Sequence, residues 1–161
     1  MPSRWTFKIP AIDALLSRYL PDDGHGWADP FAGKSTLAQY RNDLDQRHDQ
    51  PAAVEAIDFL SSFSNEFLDG VLFDPPYSLT QVSRSYAGMG LQFRGSENPT
   101  GGFPRCRDEI ARILRHGGLA ISFGWNTVGM GIKRGFLPIE YLIVCHGGNR
   151  NDTLVTVERR E

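Results

Sequence analysis

Asp69-Gly70-Val71-Leu72-Phe73-Asp74-Pro75-Pro76-Tyr77 is the stretch on which the fold turns. Val71, Leu72 and Phe73 form a short, continuous apolar run, which suits a strand buried on both faces. Asp74 closes the run. The two prolines after it stop a hydrogen-bonded ladder and stiffen the turn. Asp74 accepts hydrogen bonds, the carbonyl of Pro75 is a second acceptor, and Tyr77 offers an aromatic face. Together these groups suit a planar molecule with an exocyclic amino group. The acceptors would take the amino hydrogens and the ring would stack on the heterocycle.

Upstream, Ile9 to Leu20 carries apolar residues at helical spacing, stopped by Pro21-Asp22-Asp23-Gly24. Gly26 to Ala28 reads as a short first strand leading into Asp29, and Gln39 to Arg41 as a second that ends before Asn42-Asp43. Pro51 to Ala56 reads as a helix, and Ala56-Ile57 as a third short strand ending at Asp58. Downstream, Ser78 to Pro104 is rich in Gly, Ser, Asn and Pro and reads as a long substrate-binding loop that moves. Arg105 to Arg115 has helical spacing, stopped by His116-Gly117-Gly118. Leu119 to Phe123 reads as a strand, and Glu140 to Cys145 with Thr153 to Glu158 as a hairpin.

Strands alternating with helices, closed by a hairpin, predict an α/β sheet that is mostly parallel, with an antiparallel C-terminal hairpin. Ligands of such sheets bind beyond the carboxyl ends of the strands. Asp29, Asp43, Asp58 and Asp74 are expected at four such ends. Packing does not require that pattern, and it would build one polar rim.

A chain of 161 residues, 40% apolar, is enough for one domain with a sizeable core. No apolar run approaches the roughly 20 residues of a membrane span. The first ten residues lack a signal-peptide apolar core. Cys106 and Cys145 have no CxxC spacing, and the four histidines have no metal-ligand spacing. The expectation is a cytoplasmic protein with free thiols, no metal and no membrane. Net charge is −2, but residues 1–80 hold 6 Lys/Arg against 12 Asp/Glu, and residues 81–161 hold 11 against 7. The basic second half is where phosphate contacts belong.

Asp74-Pro75-Pro76-Tyr77 resembles the catalytic motif of S-adenosylmethionine (SAM)-dependent DNA amino-methyltransferases, which act on adenine N6 or cytosine N4. Asp29-Pro30-Phe31-Ala32-Gly33 resembles their SAM-binding motif. The resemblance runs from about Trp5 to Val157 and implies a Rossmann-like class I methyltransferase fold with SAM as cofactor. It makes Asp74, Pro75, Pro76 and Tyr77 the catalytic group. It gives the methionine part of SAM to Asp29, Pro30, Phe31, Ala32 and Gly33, the ribose to Asp43 with Leu44, and the adenine to Asp58 with Phe59. Phe7 and Lys8 match the segment that closes over the cofactor. Ser35 stands where the family has a second glycine, so the following helix is expected to be very short.

The resemblance implies DNA as partner. Arg84, Phe93, Arg94, Trp125, Lys133 and Arg134 mix cations and rings as backbone contact and base stacking require. So small a recognition surface suggests relaxed sequence preference, a dimer or a partner chain. Asp rather than Asn at position 74 tilts the substrate from RNA adenine or protein glutamine towards DNA. Asp rather than Ser tilts it from cytosine N4 to adenine N6. A rival reading is a phosphate-binding NTPase, because Ala28 to Ser35 loosely fits a Walker A loop. Pro30 counts against it, since it removes an N–H from a cradle that works through N–H groups.

Overall fold

The computed structural model describes residues 6–93, 103–126, 129–148 and 150–161. Helix α1 (Pro10–Tyr19) has Pro at its first turn and buries Ile12, Leu15 and Leu16. Proline is pre-set for that position, and the three apolar residues lie on one helical stripe. The strands that follow are β1 (Trp27–Asp29), β2 (Tyr40–Arg41), β3 (Leu68–Phe73), β4 (Leu114–Gly124), β5 (Phe136–Val144) and β6 (Thr153–Arg160). Helix α2 (Ala56–Ser61) precedes β3, and α3 (Leu79–Gly88) and α4 (Pro104–Ile113) follow it.

The six strands form one sheet in the order β2-β1-β3-β4-β6-β5. β1 pairs in parallel with β2 and β3, and β3 with β4. β6 pairs antiparallel with β4 and β5. The predicted α/β class and closing hairpin are therefore present. From β1 the chain runs outward to β2, then crosses back to β3 on the other side of β1. That reversal opens a crevice at the carboxyl ends of β1 and β3, where such sheets bind ligands. Asp29 ends β1 and Asp74 directly follows β3.

The sheet separates two apolar clusters. On one side Ile12, Leu15 and Leu16 of α1 pack with Trp27, Leu72, Ile121, Phe123, Val155 and Val157. On the other, α2 and α4 bring Phe59, Leu60, Cys106, Ile110 and Ile113 onto Val71, Phe73 and Ala120. Gly70 is opposite Trp27 in the parallel register. A Cβ there would stand 2.3 Å from two atoms of the Trp27 ring. Gly70→Ala is expected to cost about 1–3 kcal/mol through overpacking, read as a lower urea midpoint with altered tryptophan fluorescence. An unchanged midpoint would show that Trp27 moves aside freely.

Several expected boundaries are corrected. Ala56-Ile57 is not a strand, and Pro51 to Glu55 is not helical: the helix starts at Ala56 and carries Asp58 on an exposed turn. All that remains of a strand there is a single parallel bridge between Asn42 and Ala52. The stretch Ser78 to Pro104 is not all loop, because α3 occupies its first part. Ser78 caps that helix, its hydroxyl accepting the Gln81 N–H at 3.2 Å. α4 ends before the glycines, with Leu114 already extended. Leu114 pairs with Leu68, the chain bulges out over Arg115 to Gly118, and pairing resumes at Leu119 with Gly70. Thus His116-Gly117-Gly118 marks a bulge in β4 rather than a helix stop. Finally, no helix lies between β1 and β2. No described helix is long and apolar enough to cross a membrane.

Candidate active site

Two buried acids stand side by side at the reversal point. Asp29 is fully buried. Its Oδ1 accepts the Phe31 N–H at 3.1 Å, which bends the chain into the Pro30-Phe31 turn, while its Oδ2 has no partner. Burial pushes the Asp29 carboxyl well above the usual carboxylate range; the Phe31 N–H offsets part of this, and the nearby Asp74 and Asp43 add to it. Asp74 is likewise fully buried. The Tyr77 O–H donates to its Oδ1 at 2.5 Å, and its Oδ2 has no hydrogen-bond partner among the described residues. Burial pushes Asp74 up to about 7, with the Tyr77 hydroxyl pulling the other way. An unpaired buried charge is costly, so each carboxyl resists ionising. The crevice is therefore built for a ligand that brings positive charge or hydrogen-bond donors.

Beside these acids lies a cavity of about 390 Å³, within the range of small-molecule sites. Pro30, Phe31 and Pro76, the chain neighbours of the two acids, line one side. Leu44, Ile57, Val82 and Met89 give it apolar walls, and Arg84, Tyr86 and Arg105 add polar groups. Phe31 is held edge-on by Phe73 at 5.8 Å and by Phe103 at 5.1 Å. Across the cavity, the Tyr86 O–H donates to Glu55, 2.8 Å from each carboxylate oxygen, tying α3 to the start of α2.

The loop from Pro30 to Gly33 is braced from β2. Asp43 Oδ2 accepts the Gly33 N–H at 2.8 Å, and its Oδ1 accepts the Asp45 N–H at 2.9 Å. His48 Nδ1 stands 3.0 Å from Asp43 Oδ1. Gly33 is in the left-handed region, with φ of 55°, and a Cβ there would meet only open space. Asn42, buried beside Asp43, donates from Nδ2 to the carbonyls of Pro30 at 3.1 Å and Val54 at 3.0 Å. Its Oδ1 accepts the Val54 N–H at 3.0 Å. Reading the sequence for acids at strand ends passed over this amide.

The structure thus brings together Asp29, Pro30, Phe31, Asp43, Leu44, Asp74, Pro75, Pro76 and Tyr77 at one end of the sheet, with Arg84 and Phe93 on the cavity wall. Ala32 is buried in the braced loop, where its N–H donates to the Asn42 carbonyl. Asp58 and Phe59 are placed elsewhere: Asp58 is exposed on α2, and Phe59 belongs to the core under it. Ala56 and Ile57, two residues earlier than expected, line the cavity instead. Phe7 packs edge-on against Phe123 at 5.2 Å, on the α1 side of the sheet, and Lys8 is exposed. Trp125 meets Tyr77 edge-on at 5.6 Å. Lys133 is exposed, while Arg134 is taken up by Asp108 at 2.6 Å and the Met130 carbonyl. Arg94 lies outside the described residues.

No protein-family model matches the chain, and no curated protein matches it by sequence. Solved structures do match it. TrmN from Thermus thermophilus superposes with a TM-score of 0.60 at 18% identity, over 94% of this chain and 49% of TrmN. A SAM-dependent methyltransferase from Methanosarcina mazei gives 0.58 at 12% identity, over 91% of this chain and 96% of that one. The 1,6-didemethyltoxoflavin-N1-methyltransferase of Burkholderia thailandensis, solved with 1,6-didemethyltoxoflavin and S-adenosylhomocysteine, gives 0.57 at 14% identity, over 98% of this chain and 79% of that one. The fold is that of the Rossmann-like methyltransferases. This chain spans about half of TrmN and most of the other two.

Proposed function

We propose that this chain is a SAM-dependent methyltransferase acting on the exocyclic amino group of a nucleobase, adenine N6 in DNA before cytosine N4 or RNA adenine. The observation that carries the reading is the Asp74 carboxyl, buried at the end of β3 with one oxygen unpartnered, beside a proline pair and an aromatic ring.

The residues present fit the cofactor. SAM bears an ammonium and a sulfonium, and the crevice holds two buried acids that repel each other and each leave one oxygen unpartnered. Asp29 would meet the ammonium. Leu44, Ile57 and Val82 offer apolar walls to the adenine, with Phe31 at the cavity's edge. Gly33 and Asp45 N–H groups use two of the acceptor positions on Asp43, which leaves capacity for a ribose hydroxyl. When bound, SAM supplies an electrophilic methyl group.

An aromatic amine is a poor nucleophile because its lone pair is delocalised into the ring. Asp74 and the Pro75 carbonyl would accept its two hydrogens and favour a pyramidal nitrogen whose lone pair is free. As positive charge grows on that nitrogen, the same acceptors stabilise it without having to reorganise. A base in a duplex must be flipped out to reach them. Arg84 and Arg105, at the cavity, suit the backbone phosphates beside a flipped base.

The NTPase alternative loses its structural basis. A Walker A loop delivers phosphate to a helix N-terminus, and here Gly33 to Gln39 runs in turns to β2 with no helix. Expression in a methylation-deficient host, followed by nucleoside mass spectrometry of DNA and RNA, tests the proposal. N6-methyladenine in DNA is expected, and its absence from an Asp74→Ala control. Methylation confined to RNA would transfer the reading to that polymer. No modified nucleoside in either would refute the nucleobase assignment.

A further inference from the structure

We infer that Tyr77 acts on Asp74 through its hydroxyl: it is a positioning residue that holds one carboxylate oxygen and leaves the other to the reacting amine. This rests on the reading of Asp74 given above. It differs from the role the motif resemblance implies, in which the ring alone matters and stacks on the base.

The geometry is specific. The Tyr77 O–H donates to Asp74 Oδ1 at 2.5 Å, and Oδ2 is the oxygen left without a partner. The donor is itself fixed. The Tyr77 backbone N–H donates to Gln81 Oε1 at 2.6 Å, on the first turn of α3. The ring edge meets Trp125 at 5.6 Å and 70°, and the ring body packs on the apolar cluster that holds Leu72 and Phe123. Backbone, ring and hydroxyl are thus each held by a different partner, and the hydroxyl is delivered to one oxygen of a fully buried acid.

Among the described residues, the following polar and charged groups stand around Asp74. From β1 comes Asp29, close enough for the two carboxyls to repel. From the α4 side, the Arg107 guanidinium lies over the Phe73 ring at 5.8 Å, one residue before Asp74. From the turn comes the Tyr77 hydroxyl. A hydrogen bond to the ionised form favours that form, so the hydroxyl helps keep Asp74 able to accept from the amine. It also prevents the carboxylate from turning, because only Oδ2 is then left without a hydrogen-bond partner.

Tyr77→Phe separates the two roles, since it keeps the ring and removes only the O–H. The carboxyl carbons of aspartates would be followed by ¹³C NMR across pH in wild type and Tyr77→Phe, with Asp74→Asn to assign the signal. The Asp74 midpoint is expected to rise by about one pH unit in Tyr77→Phe, since a hydrogen bond that favours the ionised carboxylate is lost. The acid limb of kcat/KM for methyl transfer should move up with it, while SAM affinity stays within about two-fold. An unmoved Asp74 midpoint overturns the inference. So does a midpoint that moves while the acid limb of transfer stays in place. A wild type that transfers no methyl group would instead sink the functional reading, and the carboxyl titration would still decide whether the hydroxyl holds Asp74.

Discussion

On the proposed function, Asp74→Asn is expected to slow methyl transfer strongly and to make the fold more stable above pH 7. Both effects follow from one buried carboxyl. Asn keeps one acceptor oxygen, which the Tyr77 O–H and the substrate amine would have to share, and it removes the negative charge. Loss of a preorganised electrostatic group costs about a hundred- to a thousand-fold in rate. SAM affinity should stay within a few-fold, because Asp29 and the cavity walls are unchanged. Loss of SAM binding in this variant would mean that Asp74 holds cofactor rather than amine.

The stability effect has a definite sign. Burial raises Asp74 from 3.8 to about 7. An acid with a raised folded-state value gives its full stabilisation below the unfolded value and loses it as pH rises through the folded value. Wild type is therefore expected to lose stability between about pH 4 and pH 7 on this account. At about 1.4 kcal/mol per unit the loss is roughly 4 kcal/mol. Asn cannot ionise and escapes it. Asp29 stays raised by burial in the variant but loses the part of its shift that comes from Asp74. Urea unfolding at pH 5 and pH 8 would show a smaller loss for Asp74→Asn than for wild type. Equal losses would show that Asp74 is not the titrating group. The gain in the variant marks the acid as retained for chemistry at the expense of stability.

Much of this site could be read from the sequence because it sits where apolar runs stop. Trp27-Ala28 and Val71-Leu72-Phe73 are short runs ended by Asp-Pro, and both acids fall at the reversal point of the sheet. Asp58 was misplaced because Ala56-Ile57 fits a buried strand and a helix turn equally well, and only packing on α4 decides. The start of α3 was hidden by a Gly- and Ser-rich stretch. Its own signal was nevertheless present: Ser78-Leu79-Thr80-Gln81 has the spacing of a capping box, with Val82 and Tyr86 one turn apart on the helix. The brace through Asn42 carries no local signal. Its partners lie twelve residues away on either side, and periodicity does not report such contacts.

That brace gives the largest expected loss of stability. Asn42→Ala should cost about 2–4 kcal/mol and weaken cofactor binding. Asn42 is about 1% exposed, and its side chain makes three hydrogen bonds, to Pro30, to the Val54 carbonyl and from the Val54 N–H. Each is worth about 0.5–1.5 kcal/mol net, and the buried Pro30 carbonyl left unsatisfied costs about 1–3 kcal/mol, whereas Val54 is exposed to water. The two segments it joins keep other contacts, Phe31 with Phe73 and Phe103 and α2 with α4, but the amide links them to each other. β2 has only two residues, and beyond it the sheet holds the chain by the single bridge at Ala52. With the amide gone, Pro30-Phe31 and Val54 to Ile57, adjoining walls of the cavity, would lose their direct link. Asp43→Asn makes the contrast. It keeps an oxygen for one of the two N–H donors and should cost about 1–2 kcal/mol, with SAM affinity falling more than stability. Thermal unfolding and SAM titration of both variants test this ordering. Asn42→Ala melting within about a degree of wild type would show that the loop is held by the sheet ladder and not by the amide.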